Sequence, residues 1–90
     1  MSASHVVMLP SVSEPESPGD RVRRLQAEAR GLAREHVEML AQALVEVSRL
    51  SEEIAGGGEV YPVGARELSR RLSEEAGKHA LALTAIIERH

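Results

Sequence analysis

Three consecutive glycines, Gly56-Gly57-Gly58, cut a long helical sequence in two. Glycine pays the largest backbone entropy cost inside a helix and accepts the left-handed conformation that ends one. Upstream, no proline occurs between Pro18 and Ala55. The start is marked by Ser17-Pro18-Gly19-Asp20. Ser is an N-cap, Pro is tolerated at the first helical position, and Asp at N3 can reach back to the cap. One helix is predicted over residues 18–55, roughly 38 residues and about 57 Å long. Residues 56–63 read as a connecting loop. Pro62 opens the second helix, or Gly64 caps it with Glu67 at N3. That helix is predicted over 64–89, roughly 26 residues and about 39 Å.

Apolar spacing agrees. In the first helix Val22, Leu25, Ala29, Leu32, Ala33, His36, Leu40, Ala43, Leu44, Val47, Leu50 and Ile54 recur at intervals of three and four. Several of them repeat at eleven, as in Leu25, His36 and Val47. An eleven-residue period predicts a nearly straight helix. The stripe is about 150° wide. In the second helix Leu68, Leu72, Ala76, His79, Leu83, Ile86 and Ile87 make a face about 100° wide, with Leu81 opposite.

A short loop favours antiparallel neighbours. Charge points the same way. Glu46, Glu52 and Glu53 near the end of the first helix would face Arg66, Arg70 and Arg71 near the start of the second. Arg21, Arg23 and Arg24 open the first helix and acids close it, both badly placed for its dipole, so a cross-helix role explains the charge pattern better than a lone-helix one. The expected fold is all-α: a long antiparallel hairpin over 18–90. Its stripe is too wide for one partner, so a second copy is expected to complete a four-helix bundle.

Residues 1–17 differ in kind, with five serines and no Lys or Arg. They are expected to be a flexible tail, because so little apolar surface cannot offset the ordering entropy. One patch departs from that, Val6-Val7-Met8-Leu9 before Pro10. It has no basic segment ahead of it and is too short for a secretory leader. It reads as a sticky arm.

Composition removes most chemistry. With no Cys there is no disulfide, thiol nucleophile or thiolate metal site. With Tyr61 as the single aromatic there is no base-stacking platform. No apolar run is long enough to span a membrane, and a cytoplasmic location is expected. The net charge of -3 argues against phosphate-driven nucleic-acid binding. Gly64–Leu72 superficially resembles the first helix of a helix-turn-helix, but no turn and second helix follow. The single Asp, Asp20, stands at a helix start, and no strained turn displays a Ser. No enzyme and no cofactor are expected.

His36 and His79 fall mid-stripe, with Glu75 four residues before His79. Such N/O ligands in a bundle core are the low-ranking metal candidates, and a pH-responsive layer is a related alternative. A structural polar layer is preferred. His36, within Arg34–Glu38, also suggests a phosphoacceptor helix, but a phosphoacceptor must face solvent and His36 reads as inward. The expected function is a non-enzymatic homodimer acting through protein–protein contacts, as adaptor, regulatory subunit or small inhibitor. The surface for another protein is placed at Val22, Leu25 and Ala29 with Arg21, Arg23 and Arg24, joined by Val6, Val7, Met8 and Leu9. A small DNA-associated regulator is the remaining alternative.

Overall fold

The computed structural model of the chain describes residues 15–89. The Val6–Leu9 patch lies outside the described residues. The chain is an all-α hairpin. Helix α1 runs Pro18–Ala55, a 3-10 turn occupies Gly58–Val60, and helix α2 runs Val63–Arg89. Contacts divide the chain after Gly31 into two units.

In the first unit, the backbone N–H of Asp20 donates to Ser17 Oγ at 3.1 Å, so Ser17 caps α1. The Asp20 carboxylate does not reach back to the cap; it pairs with Arg23 one turn on. Arg24 donates to Glu16 at 2.9 Å and to Glu28 at 3.1 Å. Every described side chain up to Gly31 is exposed.

In the second unit, α1 and α2 pack antiparallel. Ser48 Oγ donates to the Ser73 carbonyl at 3.0 Å, and the Arg34 guanidinium donates to the Ile87 carbonyl. Both pairs have residue numbers that add to 121, so one register holds along the hairpin. The fully buried part of the seam is made of small side chains. On α1 the buried and half-buried positions Val37, Ala41, Leu44, Ser48, Ser51 and Ala55 recur at alternating steps of four and three. On α2 the matching positions are Ser69, Ser73, Ala76, Ala80, Leu83 and Ile87. Alternating three and four is the spacing of a two-helix seam. Ala41, Ala76 and Ala80 are 3–6 % exposed, and among the described residues they are the only buried apolar side chains.

This corrects the expected face. Leu68, Leu72, His79 and Ile86 were placed inward and are exposed. Ala76, Leu83 and Ile87 do lie on the seam. On α1, His36, Leu40 and Leu50 are likewise exposed. The physical reason is distance. Ala and Ser let two backbones approach closely, and Gly77 extends that strip: a Cβ built there would stand 3.5 Å from Ser48 Oγ. Buried serine hydroxyls cost little where a carbonyl lies within reach.

The loop is set by Gly58, whose φ is +84°. The left-handed residue is thus the third glycine of the triplet. Gly56 N–H still bonds the Glu52 carbonyl at 3.0 Å and Gly57 N–H the Ile54 carbonyl at 3.1 Å, so α1 unwinds over two residues. The Tyr61 ring covers Gly57 so closely that a Cβ there would strike it. Tyr61 itself is extended, as a residue before proline must be. α2 begins at Val63, one residue before the expected start, and Gly64 lies inside it.

Candidate interaction surface

The hairpin has two unlike sides. One carries a shallow groove lined by Val45, Arg49 and Glu52 from α1 and by Gly77, Leu81 and Thr84 from α2. It continues past Glu38 and Gln42 to Glu88. Flanking positions on one side of an antiparallel seam come from equivalent sites of both helices, so the opposite side is defined as well. There α1 presents a second row: Ala33, His36, Leu40, Ala43, Val47, Leu50 and Ile54. α2 presents Ala65, Leu68, Leu72, Glu75, His79, Ala82 and Ile86. Each row again alternates threes and fours, and lies about 100° around its helix from the seam, each member one residue before a seam position.

This face is largely apolar and open. Leu40 is 53 % exposed, Leu50 46 %, Leu68 60 %, Leu72 46 % and Ile86 50 %. Val47 and Ile54 are half-buried. Scattered exposed leucines are ordinary, but a continuous apolar face on both helices marks a contact surface. The heights match along it. In the register of the hairpin, Leu50 stands level with Arg71 and Leu72, and Ile54 with Glu67 and Leu68. Sequence reasoning found most of these residues as part of one broad stripe per helix, without separating the row that packs within the hairpin from the row left for a second copy. The rows differ in side-chain size on balance: eight of the twelve seam residues are Ala or Ser, whereas Leu40, Leu50, Leu68 and Leu72 stand in the outer row.

His36 and His79 belong to the outer row. In the observed register they are offset by six residues, about 9 Å along the helix axis. Both are exposed, so the inward reading of His36 is corrected. Among the described residues no cluster of His, Asp or Glu is arranged to hold a metal ion, and His36, His79 and Glu75 are not brought together as ligands.

The expected cross-helix charge pairs also fall elsewhere. Glu46 and Glu53 both accept from Arg49, on their own helix. Arg70 pairs with Glu67, and Arg66 Nε donates to the Tyr61 carbonyl at 3.0 Å. Neighbours three and four residues apart are already close on one helix surface, so they pair with less ordering. The Arg49 guanidinium, donating to the Glu46 carboxylate, holds Glu46 below the usual carboxylate range and is itself raised. Among the described residues Arg71 and Lys78 take part in no ion pair.

Of the other expected contact residues, Val22, Leu25 and Ala29 are exposed and share one side of α1 by their spacing. Arg21 is exposed beside them, Arg23 is paired with Asp20, and Arg24 with Glu16 and Glu28. The hydrogen bond from Arg24 to Glu16 raises its already high pKa further. Among the described residues, no helix is long and apolar enough to cross a membrane.

Compared with models of protein families, with curated proteins and with solved structures, the chain matches none.

Proposed function

We propose that this chain is a non-enzymatic helical homodimer that acts through protein–protein contacts, as an adaptor, a regulatory subunit or a small inhibitor. One observation carries the reading: the fully buried positions of the hairpin are all Ala or Ser, while many of its larger apolar side chains line an open face. Burial contributes roughly 1.5–3 kcal/mol for a large apolar side chain and far less for Ala. A seam so poor in apolar area does not offset the conformational entropy of two long helices. Closing the outer face against a second copy supplies the missing core and makes a four-helix bundle. The exposed stretch Arg21–Ala29 is then the surface offered to another protein.

Light scattering of the full chain tests the first step. The expected mass is twice the 9.8 kDa of one chain. Replacing Leu50 and Leu72 together by Lys should yield a poorly helical monomer. A wild-type protein that is monomeric and fully helical at micromolar concentration overturns the proposal.

A further inference from the structure

The outer face is apolar except for His36 on α1 and Glu75 and His79 on α2. A second copy that closes this face takes the row out of water, whichever helix packs on which. Burial disfavours the charged form of an imidazole unless a carboxylate accompanies it. An imidazole titrates close to neutrality, so the cost falls inside the ordinary pH range.

The two histidines differ in what stands beside them. Glu75 precedes His79 by one turn on the same row, so a counter-charge travels with His79 into any interface. His36 has none. It lines a shallow hollow with Val37, Met39 and Leu40, none of them charged. In the hairpin register it is level with Ala85, between Ala82 and Ile86 of the facing row. Glu75 is level with position 46, ten residues or about 15 Å away. The nearer charges of the hairpin are directed elsewhere. Glu35, Glu38 and Glu88 line the groove on the other side, and Arg34 donates to the Ile87 carbonyl. Arg89, level with Leu32, is itself a cation.

A second copy brings no free carboxylate to His36 either. Where α1 packs on α2 of that copy at matching heights, the border charge nearest in height is its Arg89, four residues or about 6 Å away. Where α1 packs antiparallel on α1 with full overlap, the nearest are Arg49 and Glu53, which already pair with each other at 2.7 Å, while Glu52 lies in the groove. Neither a neighbouring cation nor a neutralised pair stabilises an imidazolium.

We infer that His36 makes the dimer acid-sensitive: association excludes the charged imidazole, and protonation of His36 drives the copies apart. The inference rests on the proposed dimer and not on which helix packs on which. Free copies take up a proton at His36 as pH falls and the dimer does not, so acid weakens association. With one such site per copy and an imidazole's ordinary titration near pH 6.5, the dissociation constant rises on the order of a hundredfold from about pH 7.5 to about pH 5.5. Sedimentation equilibrium of the full chain at the two pH values tests this, with His36→Gln and His79→Gln measured alongside. Wild type and His79→Gln should lose affinity by that factor, and His36→Gln, neutral at both pH values, should not. Only the ratio between the two pH values is read, so a uniform loss of affinity in a variant does not imitate the effect. His36→Leu, apolar like its row, should also lose the pH dependence and bind more tightly than wild type at the lower pH. A wild-type dimer with the same affinity at both pH values overturns the inference and leaves the dimer standing. So does an equal acid response in wild type and His36→Gln. A wild-type monomer at about pH 7.5 overturns the dimer and the inference with it.

Discussion

Ala76 is 3 % exposed at the middle of the seam, where a methyl group is all that fits between the helices. Ala76→Leu should therefore destabilise the fold by about 1–3 kcal/mol through overpacking, measured by chemical denaturation. An unchanged midpoint would mean that the helices have room to spare. Ser48 donates to the Ser73 carbonyl across the seam. Ser48→Ala removes that bond and should cost about 1 kcal/mol in the same assay. Glu46 belongs to a different regime, because it lies on the exposed surface. Its carboxyl pKa is lowered by Arg49, so its contribution is present above the unfolded-state pKa and is lost as pH falls through the folded one. Glu46→Gln should thus flatten the acid side of the stability–pH curve slightly and leave neutral-pH stability almost unchanged. Such side-chain roles were partly readable beforehand. The Ser17 cap is a sequence pattern, and it formed. The partner of Glu46 was not readable, because a near neighbour on the same helix competes with a residue across the hairpin.

At the scale of elements, propensity and punctuation speak most clearly. A proline-free run, a Ser-Pro start and a triple glycine are local features, and local features decide where helices begin and end. The third glycine takes the left-handed φ. Gly58→Ala should cost roughly 1–2 kcal/mol, whereas Gly56→Ala, which meets only an ordinary contact with the Glu52 carbonyl, should be tolerated. Comparing the two melting temperatures tests which glycine makes the turn. Gly31 is different again: it lies inside α1, and nothing stands within 4 Å of a Cβ built there. Gly31→Ala should stabilise α1 by about 0.5–1 kcal/mol, visible as increased helicity by circular dichroism on warming. The first turn of α2 shows the limit of punctuation. Gly64 looked like a cap but lies within the helix, because Pro62 and the extended Tyr61 already set the chain's direction.

For the whole molecule, stability and assembly are expected to be one process. If the outer face closes against a second copy, the melting temperature rises with protein concentration, because mass action favours the associated state. Calorimetry over a hundredfold concentration range checks this, and a constant melting temperature would count against the bundle. The sequence by itself determined the helices, the hairpin and the abundance of apolar surface, since these follow from spacing and from residues acting on their own backbone. It did not determine which row packs inside. Both rows on each helix have the same three–four spacing, and periodicity cannot rank one above the other. The tertiary structure decided it through the register of α1 on α2. Close approach selects the row richest in Ala and Ser and leaves most of the Leu row, with His36 and His79, on an open side of the hairpin.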